Sequence, residues 1–138
     1  MLYGWDNSLE TGNNAIDLQH QQLIERLNRL IIANNEGTDQ VSLSETLDFL
    51  INYVEQHFND EEELQLKYNY PRYKEHKEEH EKFRIVINSL MNRLHTEGYT
   101  TSLMNNTLNT MSDWFVMHIN EEDLRLAIYI RQIESKKQ

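Results

Sequence analysis

The strongest constraint on the fold is a repeat of apolar residues at three- and four-residue spacing, which occurs in four separate segments. This spacing places the apolar side chains on one face of a helix. The segments run from about Ile16 to Asn35, from about Val41 to Lys67, from beside Pro71 to just before Gly98, and from Met104 to His118. Four amphipathic helices joined by short connections predict an up-down-up-down antiparallel bundle.

The segment ends carry residues that favour helix starts and stops. Gly37 is expected to end the first helix. Ser42 and Glu45 have capping-box spacing, which predicts the start of the second helix. Pro71 suits the first turn of the third helix. The fourth helix has three candidate N-caps, Thr100, Thr101 and Ser102.

The composition supports an all-α chain with one core. A chain of 138 residues suits one domain, and one proline with four glycines favours helices over a turn-rich sheet protein. We therefore predict a single domain over residues 1–138, in which an N-terminal arm precedes the four-helix bundle. A shorter apolar stretch, Leu124 to Ile130, predicts a short C-terminal helical segment.

The charge and the cysteine count exclude several classes of function. Thirteen basic residues stand against 23 acidic ones, a net charge of −10, which argues against nucleic acid or an anionic membrane as a partner. The absence of cysteine excludes disulfides and thiolate chemistry. The first residues lack the pattern of a signal peptide, and no apolar run approaches a membrane span. The expected location is the cytoplasm.

The stretch HFNDEEE, residues 57–63, contains four consecutive acids, one of which falls on a buried face. His57 and Glu61 are four residues apart and share the apolar face of their helix. Asp60, Glu62 and Glu63 are expected on the solvated face. A buried carboxylate without a partner is very unfavourable, and no lysine or arginine lies on any apolar stripe. A positive group is therefore expected beside Glu61.

Five of the six histidines are predicted to meet at one end of the bundle. In this topology the start of the first helix, the end of the second, the start of the third and the end of the fourth lie together. The histidines at these positions are His20, His57, His76, His80 and His118. A single buried histidine is more often a satisfied core residue than a ligand, but five at one level indicate a metal site. Imidazole and carboxylate ligands suit iron, manganese or zinc, and the set exceeds one tetrahedral zinc, so two metals fit better.

Three spacings resemble the hemerythrin family, particularly its single-domain bacterial members. They are H-x-x-x-E at 57 and 61, H-x-x-x-H at 76 and 80, and H-x-x-x-x-D at 118 and 123. The stretch WDNSLETGNNAIDLQHQQL is similar to the N-terminal arm and first-helix start of that family, and WFVMHINEED is similar to its fourth-helix motif. The resemblance covers nearly the whole chain and implies a single hemerythrin-like domain.

The resemblance implies two iron ions joined by an oxo or hydroxo bridge. His76, His80 and His118 would hold one iron, and His20 and His57 the other. Glu61 and Asp123 would bridge both. Two octahedral irons offer about twelve positions. This ligand set fills all but one of them, so the iron with two histidines would keep an open position for a small ligand.

Two features of the fourth helix are less regular. Asp123 lies five residues after His118, whereas Glu122 lies four after and would project more directly from an α-helix. The resemblance favours Asp123, and we expect the helix to bend or end there. Phe115 occupies a position where the family often has leucine beside the oxygen pocket. The predicted walls of that pocket are Leu23, Phe58, Phe115 and Ile119.

The resemblance favours reversible dioxygen binding over catalysis. Ferritin-like di-iron enzymes use about four carboxylates, whereas this chain offers two carboxylates and five neutral imidazoles, which favour oxygen cleavage less. The alternatives are a di-iron enzyme acting on oxygen, peroxide or nitric oxide, and an oxygen- or iron-sensing module. The sequence leaves open whether a separate electron-donor or oxygen-accepting protein is a partner. It also leaves open the physiological ligand and the oligomeric state.

Overall fold

The computed structural model describes residues 3–5, 10–37 and 39–136, except for the side chains of residues 39 and 40. The described residues form helices and no strands, which confirms the all-α prediction. A π-helical segment joins α4 to α5, so the three pieces form one fourth helix. The elements are α1 Asn14–Glu36, α2 Asp39–Lys67, α3 Tyr73–Glu97, α4 Thr101–Trp114, the π-helical segment Phe115–Asp123 and α5 Leu124–Lys136.

The four helices pack in a ring that matches the predicted bundle. Helix α1 packs against α2 and α4, and α3 packs against the same two helices. Leucines of α1 and α2 are fully buried, and each contributes about 1.5–3 kcal/mol of transfer free energy. The leucines without exposed surface are Leu23, Leu27, Leu30, Leu43, Leu47 and Leu50. No helix within the described ranges is long and apolar enough to cross a membrane.

Two of the predicted helix ends are confirmed. Gly37 ends α1 with φ 77°, and its backbone N–H donates to the carbonyl of Ala33. This left-handed conformation favours glycine. Thr100 is the N-cap of α4, where its hydroxyl oxygen accepts a hydrogen bond of 3.0 Å from the N–H of Leu103.

Two other end predictions are wrong. Helix α2 begins at Asp39, so Ser42 and Glu45 lie inside the helix instead of capping it. Because the helix starts three residues earlier, the backbone N–H groups that Ser42 would cap already lie within the hydrogen-bonded part of the helix. Helix α3 begins at Tyr73, two residues after Pro71. The N–H of Tyr73 donates to the carbonyl of Tyr70 at 3.2 Å, so Pro71 occupies the second position of a turn, where its fixed φ is favourable.

The N-terminal arm lies beside α1. The N–H of Tyr3 donates to Asn28 Oδ1 at 2.8 Å, and Asn28 Nδ2 donates back to the carbonyl of Tyr3 at the same distance. The ring of Tyr3 lies 5.1 Å from that of Phe115. Thr11 donates from both its N–H and its hydroxyl to Asp17 Oδ1. The arm is therefore fastened along α1, at Asn28 near the middle of the helix and at Asp17 near its start.

Candidate metal centre

The seven predicted site residues meet in one buried cluster. The most exposed of them is His118, with 2% of its surface accessible. Their side chains form two groups whose ligand atoms lie within 4.8 Å of one another. One group is Glu61, His76, His80 and His118, and the other is His20, His57, Glu61 and Asp123. Glu61 belongs to both groups, as a bridging carboxylate would.

The π-helical segment explains how Asp123 reaches the cluster. Its hydrogen bonds span five residues instead of four, so residues five apart lie on nearly the same face. His118 and Asp123 therefore both point inward, and Asp123 is fully buried. Glu122 instead pairs with Arg72 at 3.4 Å and with Arg125 at 3.3 Å. The expectation that the helix ends there is wrong, because it continues with wider winding through Asp123 into α5.

All five histidine rings direct Nε2 toward the cluster. The Nε2 atom of His118 lies 3.0 Å from that of His76 and 3.2 Å from that of His80. Two nitrogen ligands at right angles on one metal, each at a bond length of about 2.1 Å, would lie about 3.0 Å apart. Neutral imidazoles would bring nitrogen lone pairs together here, which is unfavourable unless a cation or a proton separates them. The donor set therefore fits a metal ion.

The two carboxylates extend across both groups. Asp123 Oδ2 lies 2.8 Å from His20 Nε2, while its Oδ1 lies 3.0 Å from His118 Nε2. Glu61 Oε1 lies 3.1 Å from Nε2 of both His57 and His80. Each acid thus contacts at least one histidine of the predicted pair and at least one of the predicted trio, and these positions suit the bridging role that the resemblance implies.

The charges of the cluster depend on one another. Burial lowers the pKa of His57, but Glu61 and Asp123 outweigh it and raise that pKa to about 9. Burial and Asp123 oppose ionisation of Glu61, yet His57 and His118 hold the pKa of Glu61 well below its ordinary value. The two carboxylates are therefore anionic and require positive charge, from protons or from a metal ion.

Three of the five histidines have a hydrogen-bond partner at Nδ1, on the outer side of the ring. Metal-binding histidines usually carry such a partner, which fixes the tautomer and the ring orientation. The partners are Gln19 at 2.7 Å from His57, Gln65 at 2.7 Å from His76 and Glu62 at 2.9 Å from His80. Among the described residues, Nδ1 of His20 and Nδ1 of His118 have no hydrogen-bond partner. The nearest acid to His118 Nδ1 is Glu79 at 3.6 Å, which is too far for a hydrogen bond.

Sequence reasoning missed this outer layer, and its prediction for two acids was wrong. Glu62 was expected on the solvated face, but its side chain is 19% exposed and contacts His80. Asp60 accepts a hydrogen bond of 2.6 Å from Gln19, so it supports the partner of His57. Glu63 is exposed as expected. One signal was available, because Asp60 and Glu62 directly flank Glu61 and so lie at the two edges of the buried face.

Aromatic rings and apolar side chains enclose the histidines. Trp114 stacks on His118 with ring centroids 3.8 Å apart, and Phe58 stacks on His80 at 3.9 Å. Tyr53 stacks on His57 at 5.0 Å. The four predicted pocket residues, Leu23, Phe58, Phe115 and Ile119, all belong to the buried core. The inner side of the cluster is therefore apolar.

Comparison with known proteins agrees with this geometry. A sequence model of the family described as "Hemerythrin HHE cation binding domain" matches residues 11–128. A bacteriohemerythrin of Stenotrophomonas maltophilia is 32% identical over 94% of this chain and 82% of that protein. A hemerythrin-like protein of Naegleria gruberi is 33% identical over 89% of each chain, and a myohemerythrin of Theromyzon tessulatum is 27% identical over the same shares. The chain belongs to the hemerythrin family.

Proposed function

We propose that this protein binds dioxygen reversibly at a non-haem di-iron centre, as an oxygen carrier, store or delivery protein. The observation that carries the proposal is one buried cluster of five imidazoles and two carboxylates. His76, His80 and His118 would hold one iron, His20 and His57 the other, and the two acids would bridge them. When bound, the irons supply the electrons that dioxygen takes up on binding and returns on release.

The ligand set favours binding over oxygen cleavage. Anionic oxygen ligands stabilise high-valent iron, and this cluster contains only the two carboxylates Glu61 and Asp123 among its seven candidate ligands. The Nδ1 atoms of His57 and His76 contact the neutral side chains of Gln19 and Gln65. Neutral partners add less negative charge to the imidazoles than carboxylates would. We therefore propose that the protein is not primarily an enzyme.

The inner apolar side would keep water away from a bound gas molecule. Leu23 and Phe58 have no exposed surface, Ile119 is 1% exposed and Phe115 is 5% exposed. A dry pocket hinders the proton transfers that lead to irreversible oxidation. The ring of Phe115 is itself covered by Tyr3 of the N-terminal arm, so the arm contributes to this protection.

The remaining assignments are also proposals. We propose that residues 1–138 form a single domain, since the family match extends over residues 11–128 and the arm packs on α1. Dioxygen is the proposed ligand. A separate electron donor would restore the reduced state, and an oxygen-accepting protein is a further candidate partner. The cytoplasmic location stays a prediction from the sequence.

Repeated oxygen cycling tests this proposal. The iron-loaded protein is reduced without oxygen, oxygen is admitted, the visible absorption is followed, and the gas is then removed. Recovery of the reduced spectrum over several cycles supports a carrier. Immediate and permanent oxidation with release of hydrogen peroxide, in the absence of any partner, would refute the carrier and favour the di-iron enzyme.

A further inference from the structure

A cavity of about 510 Å³ lies at the end of the bundle and reaches the cluster from the side of its carboxylates. Glu61 and Asp123 form part of its lining. Glu61 Oε2 is buried and has no hydrogen-bond partner among the described residues. The cavity is therefore in contact with two of the seven candidate ligands, and each of them has a buried carboxylate oxygen without a hydrogen-bond partner among the described residues, Oε2 of Glu61 and Oδ1 of Asp123.

The walls of this cavity lie nearer the end of the bundle than the ligands do. Ile16 precedes His20 by four positions in α1, and Ala127 follows Asp123 by four positions; both line the cavity. Leu23, of the apolar side, lies three positions beyond His20 in the opposite direction. The cluster thus has two different sides, an apolar inner side and an outer side that opens into the cavity.

Oxygen-bearing side chains surround the outer part of the cavity. They are Thr11, Asn13, Tyr68, Glu134 and Ser135. Glu134 is an exposed residue of α5 and accepts a hydrogen bond from the hydroxyl of Tyr68. Arg131, the one basic side chain in the described lining, donates to the backbone carbonyl of Glu10 at 2.8 Å. This bond ties α5 to the N-terminal arm.

We propose that this cavity is the route by which a divalent metal ion enters and leaves the centre. Glu134 is the first carboxylate that the ion meets, and Glu61 and Asp123 are the last. The inference rests on the proposed metal centre. An ion cannot cross the apolar inner side, because removing it from water without ligands is very unfavourable. Oxygen-bearing side chains suit a hydrated divalent cation, and the cavity carries them at its mouth and again at the cluster. The remaining lining is apolar (Ile16, Leu64, Leu126, Ala127 and Ile130), but a volume of about 510 Å³ leaves room for the ion to pass with its water ligands.

A groove of about 390 Å³ between α3 and α4 is the competing entrance. It is lined by Glu79, Asp113, Glu121 and Glu122 and also reaches His118. The ring of His118 turns its Nδ1 toward Glu79 at 3.6 Å, whereas its Nε2 points into the cluster. An ion from this groove would have to pass the imidazole ring of His118 to reach the cluster. Substitutions in this groove therefore serve as controls for the same substitutions in the cavity.

The first test measures how fast the metal-free protein takes up Co²⁺, by rapid mixing and visible absorption. Glu134→Gln keeps an acceptor for Tyr68 but removes the charge at the mouth. We expect uptake to slow about threefold at low ionic strength, and the difference to shrink as salt screens the charge. Glu121→Gln, which removes an exposed charge from the α3–α4 groove, should leave the uptake rate unchanged. The final metal content should be the same in all three proteins.

The second test narrows the cavity itself. Ala127→Phe places a large side chain in the lining, and Thr110→Phe does the same in the α3–α4 groove. A side chain that narrows the route raises the free-energy barrier to passage of the ion, but it leaves the free energies of the free and the bound ion unchanged. Ala127→Phe should therefore slow both Co²⁺ uptake and Co²⁺ release to a chelator by about the same factor, with unchanged affinity. If Ala127→Phe does not fold, Glu134→Gln still decides the question, because it alters an exposed residue.

Equal uptake rates for Glu134→Gln and the parent at low ionic strength would overturn the proposal. Slowing by Glu121→Gln or Thr110→Phe alone would overturn it as well and would place the entrance in the α3–α4 groove. A parent protein that binds no metal at equilibrium would refute the metal centre itself. That result is distinguishable from failure of the entry route alone, in which the protein binds metal but substitutions in the cavity do not change the rate of uptake.

Discussion

Replacing Gln65 by methionine tests whether the outer hydrogen bonds position the histidines for a metal. Gln65 is fully buried, and its amide nitrogen lies 2.7 Å from His76 Nδ1. When Nε2 of His76 binds a metal, Nδ1 carries the ring proton. The amide must then turn so that its oxygen accepts a hydrogen bond from the Nδ1–H group. Methionine fills a similar volume but is a weak acceptor, so the substitution leaves a buried N–H without a partner.

The size of the effect follows from that lost bond. An unsatisfied buried donor costs about 1–3 kcal/mol, which corresponds to a factor of about 5 to 150 in an equilibrium constant. Loss of the outer partner of a metal-binding histidine commonly lowers metal affinity about 10- to 100-fold. We expect Gln65→Met to fall in this range. Gln65→Glu supplies a charged acceptor and should retain most of the affinity.

The assay is a titration of metal-free protein with Co²⁺ against a competing chelator. Gln132→Met is the matched control, because Gln132 is an exposed residue of α5 and belongs neither to the cluster nor to its outer layer. Its affinity should equal that of the parent. An affinity of Gln65→Met within about twofold of the parent would refute the claim that this bond orients His76.

Other perturbations probe the centre directly. Glu61→Ala removes a carboxylate 3.1 Å from both His57 and His80, and metal analysis should show a sharp loss of iron; full loading would contradict a bridging role. Removing the metal should lower Tm in calorimetry and reduce hydrogen-exchange protection around the same histidines, because the centre joins four helices; equal protection would count against this. In the metal-free protein, His57 has a pKa of about 9, above its ordinary 6.5, since burial lowers that pKa but Glu61 and Asp123 raise it by more. The stabilisation from protonated His57 is complete below about pH 6.5 and is lost as the pH rises through about 9. The free energy of unfolding measured with urea should therefore fall over this pH range, and a constant value would contradict the raised pKa. Phe115→Ser should admit water and speed oxidation of the reduced iron protein; an unchanged rate would show that Phe115 does not line the pocket.

The meeting of the histidines could be predicted because it depends on two regular features. Helical periodicity places His57 and Glu61 on one apolar face, and antiparallel topology brings the start of α3, with His76 and His80, to the end of α2. Asp123 was harder, because five-residue spacing contradicts an α-helix. Only the π-helical winding of Phe115–Asp123 resolves it, and no simple residue pattern marks such a segment.

The outer layer and the cavity could not be predicted in the same way. Gln65 and Glu62 are polar residues beside a buried stripe, and the sequence pattern does not distinguish an inward hydrogen bond from a solvated side chain. The cavity depends on how the N-terminal arm and α5 pack around Glu61 and Asp123. Packing of this kind depends on the side chains of several elements together, which a periodicity in one segment does not report.

The most direct test of the central claim is the stoichiometry of oxygen uptake. Protein with a measured iron content is reduced without oxygen, and the oxygen that it binds is determined with an electrode as the gas pressure is raised and then lowered. The proposed centre predicts one dioxygen bound per two irons and recovery of that oxygen when the pressure falls. Absence of uptake by the fully loaded protein, or oxygen that is consumed and cannot be recovered, would contradict reversible binding.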